Sequence, residues 1–334
     1  MEIAGRKLGG KERPYIVAEI SGNHAGDIKN AIRLIKEAKA AGADAVKTQC
    51  YSPDSMTLDC DKIDFIVQDG LWAGQSLYEL YTKACTPPEW HETLYKAAAD
   101  EGITIFSSVF DVRDLDLLEK LGCPAYKIAS FEIVDLPLVA EVATIGKPMI
   151  ISTGLASSKE VVEAAEVIEG TEACFLHCTA GYPASVDKAG LDRIGSLQTL
   201  LDGKYLIGIS DHTEDLMVPI AATAKHVAMI EKHLRLDDVV GEDYDFSLNP
   251  EDFETMVEAV KLVHAGCRYE QTVRGPLRQF RRSLYAVEDI EEGEALTIDN
   301  IRSIRPGFGL APKFIAEVLG TAAKKSYKRG DAIK

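Results

Sequence analysis

The sequence predicts an α/β fold in which a (β/α)8 barrel is followed by a small second domain. Eight short runs of apolar or β-branched residues alternate with helical patterns as far as about residue 265. Such alternation over roughly 250 residues is typical of a barrel of eight parallel strands, with a doubly wound sheet as the main alternative. The alternation then stops, which indicates a barrel domain over 1–265, a linker over 266–280 and a second domain over 281–334.

Each predicted strand is a short apolar run bounded by turn or helix residues. In chain order the runs are YIVAEIS (15–21), AVKTQCY (45–51), TIFSSVF (104–110), AYKIAS (125–130), PMIISTG (148–154), ACFLHCT (173–179), YLIGIS (205–210) and VAMIEKH (227–233).

Helical periodicity fills the intervals between these strands. In the clearest case, DIKNAIRLIKEAKAAG, Asp27 is placed to cap the helix and Gly42 to end it. The apolar residues of this helix recur on one face, at Ile28, Ile32, Ile35 and Ala38. The same form returns in PPEWHETLYKAAADEG and SSKEVVEAAEVIEG.

Two segments depart from the alternation. Residues 52–86 are long, polar and aromatic, and we interpret them as an insertion after the second strand, at the face where barrel active sites lie. The C-terminal stretch carries short strands and one or two short helices, separated by the turns EEGE, RPGFG and KRGD.

Composition and charge exclude several classes of protein. The chain has 334 residues and a net charge of −16 without any basic block, so neither nucleic acid nor a membrane is an expected partner. Seven cysteines, an odd number without a C-x-x-C pair, argue against a disulfide framework. No apolar stretch is long enough for a signal peptide or a membrane helix, and the expected location is the cytoplasm.

Polar side chains end almost every predicted strand. The carboxyl ends of barrel strands meet at one mouth, where catalytic residues are found. A single such residue is more often structural, but several buried charges are costly unless they are paired or bind an ion. The residues concerned include Glu19, Lys47, Gln49, Ser108, Lys127, Ser130, Glu132, Ser152, His177, Tyr182, Asp211, His212, Glu231 and His233.

The residue types at the mouth indicate two chemistries. Cations and hydroxyl donors suit a phosphate, and they are supplied by Lys47 and Lys127 with Ser108, Ser130 and Ser152.

Two imidazoles at neighbouring strand ends indicate a divalent metal. His212 and His233, with Glu19 nearby, suit Mn²⁺, Co²⁺ or Zn²⁺ better than Ca²⁺.

The chain resembles a known family over nearly its whole length. It is similar to the sialic acid (nonulosonic acid) synthases, which condense phosphoenolpyruvate with an amino sugar, in the motifs AEISGNHAGD, GADAVKTQ, AYKIASFE, ISTG, CTAGYPA, ISDHT, IEKH and DFSLNPEDF. The C-terminal RRSLYAVEDIEEGEALTIDNIRSIRPGFGL resembles the antifreeze-like (SAF) domain of that family. The resemblance implies a metal-dependent transferase that forms a C–C bond.

One branch of the family is most similar, the branch that makes pseudaminic acid. The similarity lies in the insertion at 51–91, in FSSVFD and in SIRPGFGLAPKF. Ala180 stands where N-acetylneuraminate synthases tend to carry a ligand-binding asparagine, and Val109 stands where proline is usual. The implied substrate is 2,4-diacetamido-2,4,6-trideoxy-L-altrose. An N-acetylneuraminate or legionaminate synthase, using N-acetylmannosamine or its 2,4-diacetamido analogue, is the alternative.

The resemblance also implies roles for single residues. Phosphoenolpyruvate would be held by Lys47, Ser108, Lys127, Ser130 and Ser152. The metal, expected to be Mn²⁺ with Co²⁺ or Mg²⁺ as alternatives, would be held by His212 and His233. The sugar and water positions would be lined by Glu19, Gln49, Glu132, Tyr182 and Asp243, with Glu19 as base. Arg305 would reach from the small domain of one subunit into the barrel of its partner, in a domain-swapped homodimer.

Two other classes of protein compete with this interpretation. A metal-dependent barrel hydrolase would need a carboxylate or a His-x-His pair on the first strand, and EISGNHAGD lacks the His-x-His pair. It would also leave the two lysines unexplained. An ice-binding module would need a flat, uncharged surface, whereas EEGEALTIDN and KKSYKRGD are highly charged.

Overall fold

The structure is a computed structural model that describes residues 1–179, 181–268 and 276–334. The chain divides into two compact units, Met1–Arg268 and Tyr269–Lys334, and each has its own hydrophobic core. Ala180 and residues 269–275 of the predicted linker lie outside the described residues. The structure therefore does not test how they were interpreted.

A closed barrel of eight parallel strands forms the first unit, which confirms the predicted fold class. A short antiparallel pair that the sequence analysis missed, β1 (Glu2–Ile3) and β2 (Arg6–Lys7), precedes the barrel. The barrel strands are β3 (Tyr15–Glu19), β4 (Ala45–Cys50), β5 (Thr104–Val109), β6 (Tyr126–Ile128), β7 (Met149–Ser152), β8 (Ala173–Cys178), β9 (Leu206–Asp211) and β10 (Met229–His233). Pairing of β10 with β3 closes the barrel and sets His233 opposite Glu19.

Helices cover the outside of the barrel and connect its strands. They are α1 (Ile28–Ala40), α2 (Pro53–Met56), α3 (Leu77–Ala84), α4 (His91–Glu101), α5 (Leu115–Lys120), α6 (Leu136–Thr144), α7 (Ser158–Val167), α8 (Arg193–Leu200), α9 (Met217–Ala224) and α10 (Pro250–Cys267). Within the described ranges, no helix is both long and apolar enough to cross a membrane.

The first helix shows how the sequence pattern determines packing. The Asp27 carboxylate accepts a hydrogen bond of 2.9 Å from the Lys29 N–H, so the predicted cap is present. The buried face, however, consists of Ala31, Leu34, Ile35 and Ala38. Ile28 and Ile32 are only partly buried, so the face that packs on the barrel is rotated from the predicted one.

The insertion contains α2 and α3, and Thr86, at its end, forms a parallel bridge with Cys50. The imidazole of His24 lies 3.3 Å from the Thr86 hydroxyl and packs edge-on against Trp90, with 5.3 Å between ring centroids. His24 therefore anchors the end of the insertion.

The second unit is a small, mostly irregular domain. Its regular elements are β11 (Ser283–Ala286), antiparallel to β12 (Ile301–Ile304), and α11 (Ile315–Val318). Its core includes Leu284, Ile290, Ile301, Tyr327 and Ile333. Arg305 belongs to this unit and is exposed there.

Candidate active site

A cavity of about 340 Å³ opens at the carboxyl ends of the barrel strands. Most of the residues that the sequence placed in the site line it. They are Lys47, Gln49, Ser108, Lys127, Ser130, Glu132, Ser152, Tyr182, His212, His233 and Asp243. Parallel pairing produces this convergence, because residues of equal height on neighbouring strands point to the same side.

One end of the cavity is cationic and rich in hydroxyl groups. Lys47 Nζ donates a hydrogen bond of 3.0 Å to Ser108 Oγ, and Lys127 Nζ donates one of 3.1 Å to the carbonyl of Ile128. Ser130 Oγ accepts a hydrogen bond from the Gly154 N–H at 3.1 Å. The buried Ser152 hydroxyl has no partner among the described residues, so it is free to bind a ligand.

Glu19 does not line this cavity. Its side chain is completely buried, forms an ion pair with Lys47, and accepts hydrogen bonds from the Ser21 N–H and the Gln49 amide. Desolvation raises the pKa of the Glu19 carboxyl, although the charge of Lys47 opposes the rise. The sequence analysis placed Glu19 near the metal and the water. In the structure Glu19 is ion-paired with Lys47 and lies opposite His233 in the pairing of β3 with β10.

Glu231 is a site residue to which the sequence analysis gave no role. It lines the cavity, its Oε1 lies 3.6 Å from Lys47 Nζ, and it accepts a hydrogen bond of 3.1 Å from Ser210. Desolvation would raise the pKa of this carboxyl, but the charges of Lys127 and Lys47 outweigh it and the pKa falls. The period-two alternation of β10 could have found it, since Glu231 and His233 must share one face.

Two imidazoles meet at the other end of the cavity. The rings of His212 and His233 lie 5.3 Å apart between centroids. The Nδ1 of His233 contacts Ser21 Oγ at 3.2 Å, and that of His212 contacts the carbonyl of Thr179 at 3.4 Å. Desolvation, with the positive groups around it, lowers the pKa of His233 and keeps the ring neutral, which is the form that binds a metal.

The donor set fits a divalent metal that keeps open coordination positions. Neither Nε2 of this histidine pair has a hydrogen-bond partner in the part of the chain that the structure describes. In that same part, no group of three or more His, Cys, Asp or Glu side chains could hold a metal ion. The chain can thus supply two nitrogen ligands and leave the remaining positions to water and substrate oxygens.

The insertion supplies an apolar wall that the sequence analysis did not resolve into residues. The side chains that it contributes to the cavity include Met56, Val67, Trp72, Leu77, Leu80 and Tyr81. The Trp72 indole donates a hydrogen bond of 3.3 Å to the carbonyl of Glu242 and packs against Tyr182 and Phe246. The wall is therefore attached to the segment that follows β10.

Glu132 presents a carboxyl group with unusual proton affinity. It is partly buried, lines the cavity, and its Oε2 has no hydrogen-bond partner among the described residues. Desolvation, opposed by the charge of Lys127, raises the pKa of Glu132 from 4.5 to about 7. Such a group can exchange a proton near neutral pH.

The raised pKa of Glu132 predicts a pH-dependent stability. The folded chain binds this proton more tightly than the unfolded chain does. The resulting stabilisation is fully present below the ordinary pKa of 4.5 and is lost as pH rises through about 7. Glu132→Gln should therefore stabilise the fold at pH 8 by roughly 1–3 kcal/mol and change little near pH 4.5.

Thermal or urea unfolding of the wild type and the variant at both pH values measures this effect. Glu141→Gln, on the exposed face of α6, is the matched control and should show no pH-dependent difference. An equal effect of Glu132→Gln at the two pH values would contradict the prediction.

Comparison with known proteins relates both units to described families. Residues 34–270 match the NeuB family, and residues 281–334 match the SAF domain. The chain is 42% identical to the pseudaminic acid synthase of Campylobacter jejuni subsp. jejuni serotype O:2, over 97% of this chain and 96% of that protein. It is also 42% identical to the pseudaminic acid synthase of Helicobacter pylori, over 94% and 95% respectively.

A solved structure is similar as well. It is the N-acetylneuraminic acid (sialic acid) synthetase of Leptospira borgpetersenii serovar Hardjo-bovis, in complex with citrate. The TM-score is 0.74 at 26% identity, over 84% of this chain and 94% of that one.

Proposed function

The chain belongs to the NeuB family, and we propose from this premise that it is a pseudaminic acid synthase. The proposed reaction joins phosphoenolpyruvate, 2,4-diacetamido-2,4,6-trideoxy-L-altrose and water to give pseudaminic acid and phosphate. The observation that carries the proposal is a single cavity that combines a lysine-rich end, a pair of imidazoles and an apolar wall. The identity of 42% to two pseudaminic acid synthases supports the choice of branch.

The cationic end suits the phosphate and carboxylate of phosphoenolpyruvate. Lys47 and Lys127 provide charge-assisted donors, and the Ser152 hydroxyl is buried without a partner among the described residues. Ser108 and Ser130 complete the proposed set. Glu19 and Glu231 hold the pKa of Lys47 above its ordinary value against desolvation, which keeps this lysine charged.

The proposed chemistry breaks a carbon–oxygen bond. The vinyl carbon of phosphoenolpyruvate attacks the aldehyde carbon of the open-chain sugar and forms the new C–C bond, while the aldehyde oxygen gains a proton. Water adds to the cation left at the enol carbon and loses a proton. The tetrahedral intermediate then expels phosphate, and the lysines stabilise the negative charge of the leaving group.

Glu132 is the better candidate for the base that takes the proton from water. It faces the cavity, has a free carboxyl oxygen and a pKa of about 7. Glu19, for which the family resemblance implied this role, is completely buried, forms an ion pair with Lys47 and does not line the cavity. We therefore propose that Glu19 holds Lys47 in its charged state. Gln49, Tyr182 and Asp243 keep their proposed places at the sugar and water positions.

His212 and His233 would hold the divalent metal, for which we propose Mn²⁺, with Co²⁺ or Mg²⁺ as alternatives. When bound there, such a cation supplies Lewis acidity that polarises the aldehyde. We further propose a cytoplasmic enzyme, because the chain carries free cysteines and phosphoenolpyruvate is an intracellular metabolite.

The apolar wall predicts a preference for a 6-deoxy sugar. A methyl group at C6 gains contact with the wall, whereas the C6 hydroxyl of N-acetylmannosamine would lose its partners there. We expect kcat/KM for the 2,4-diacetamido-2,4,6-trideoxyhexose to exceed that for N-acetylmannosamine by roughly 10–200-fold or more. A panel of amino sugars with phosphoenolpyruvate, scored by phosphate release and product mass, measures this ratio and tests the proposed function.

A matched pair of variants locates the origin of that preference. Leu80 is 8% exposed and lines the cavity, whereas Leu58, in the same insertion, is 64% exposed. Leu80→Asn should lower the ratio of the two kcat/KM values about tenfold, and Leu58→Asn should leave it unchanged. Equal or better use of N-acetylmannosamine by the wild type would place the chain in the N-acetylneuraminate branch.

We also propose a domain-swapped homodimer in which Arg305 completes the site of the partner subunit. The second unit has a small core and no cysteine within 281–334, so it gains stability by docking. A guanidinium presents a planar set of donors that suits an amide or hydroxyl oxygen of the sugar. Pairing of Arg305 with acidic surface groups of this −16 chain is the alternative.

Subunit mixing distinguishes the two possibilities. Lys47→Ala and Arg305→Ala homodimers should each be inactive. After joint refolding, each heterodimer would contain one intact composite site, and activity should recover to about one quarter of wild type for random assortment. Heterodimers as inactive as both parents would show that Arg305 serves its own barrel or none.

A further inference from the structure

Ser21 has a backbone conformation that residues with a side chain rarely adopt. It follows β3, is completely buried, and has φ = +34°. Its N–H donates a hydrogen bond of 2.9 Å to the Glu19 carboxylate, which helps to hold this conformation. Strained backbone of this kind persists where the surroundings impose it, often at functional sites.

The strained conformation places the Ser21 hydroxyl beside a residue of the cavity. Its Oγ lies 3.2 Å from Nδ1 of His233. The N–H of the next residue, Gly22, donates to the Asp243 carboxylate at 3.3 Å, which ties the same turn to a second residue of the cavity.

The contact leaves one ring nitrogen of His233 for a metal. An imidazole that binds a cation through the lone pair of Nε2 carries its proton on Nδ1. Ser21 Oγ, at 3.2 Å, would accept that Nδ1–H and would favour this tautomer.

We propose that Ser21 is a positioning residue that fixes the tautomer and the orientation of His233 as a metal ligand. Groups behind a ligating imidazole commonly set both properties. The two imidazoles are oriented by different means, because the Nδ1 of His212 faces the backbone carbonyl of Thr179. The inference rests on the proposed metal dependence.

Two substitutions separate the hydroxyl from the backbone strain. Ser21→Ala removes the hydroxyl and keeps the strained Cβ, whereas Ser21→Gly removes both and relieves the positive φ. Both variants should bind Mn²⁺ 10–100-fold more weakly than wild type in calorimetry without either substrate. The electron paramagnetic resonance spectrum of bound Mn²⁺ should also change in both.

Thr86→Ala is the matched control, because it removes another buried hydroxyl that contacts an imidazole, that of His24. Its Mn²⁺ affinity should equal that of wild type. Unchanged affinity in both Ser21 variants, or an equal loss in Thr86→Ala, would overturn the inference while leaving the proposed function intact. A wild-type chain that binds no Mn²⁺ would overturn the metal assignment and, with it, this inference.

Discussion

His212→Ala should lower turnover by roughly 10³-fold or more and remove the bound metal, while the chain stays folded. The physical reason is that a Lewis acid contributes several kcal/mol to such a reaction. His212 supplies one of the two imidazoles that face the cavity. A chelator should likewise abolish turnover of the wild type, and Mn²⁺ or Co²⁺ should restore it. Mass spectrometry measures the metal content, and circular dichroism checks that the variant is folded, alongside the rate measurement.

His177→Ala provides the matched control. His177 is also a buried histidine near the end of a barrel strand, but its Nε2 donates to the carbonyl of Ala189 at 2.7 Å. Its loss should reduce stability and preserve the metal. Full activity of the wild type in excess chelator would refute the metal requirement.

Lys232→Met should destabilise the fold more than any other substitution proposed for this chain. Lys232 is completely buried, and its Nζ lies 2.6 Å from Asp211 Oδ2 and 3.0 Å from the carbonyl of Asp215. Removal of one partner leaves the other charge buried and unpaired, which costs about 3–5 kcal/mol. The melting temperature should fall by roughly 6–15 °C, as measured by calorimetry.

Two further variants test the cause of that loss. Lys225→Met removes an ion pair of the same length, 2.6 Å, but its partner Asp192 is 99% exposed, and we expect a change below about 1 kcal/mol. Adding Asp211→Asn to Lys232→Met should recover part of the stability, because it removes the unpaired charge. Similar losses for Lys232→Met and Lys225→Met would show that burial of the pair is unimportant.

The alternation of apolar runs and helical patterns predicted the barrel, with a doubly wound sheet as the alternative, and the closed sheet confirms the barrel. A strand or helix must present its apolar face to the core. The spacing of apolar residues along the sequence therefore indicates the type of each element and the order of the elements. The prediction for α1 was only partly right, because Ala31 and Leu34 are buried more deeply than Ile28 and Ile32. Size and hydrophobicity alone do not determine how far a helix rotates about its axis.

The sequence by itself determined which residue types gather at the barrel mouth, because parallel strands bring their carboxyl ends to one side. Only the tertiary structure decided which of these residues face the cavity. Glu19 and Glu231 both belong to barrel strands, yet Glu231 lines the cavity and Glu19, ion-paired with Lys47, does not. The contact between Ser21 and His233 likewise joins residues 212 positions apart. Such pairings depend on strand register and barrel closure, which arise from packing over the whole chain and leave no signal in a local stretch of sequence.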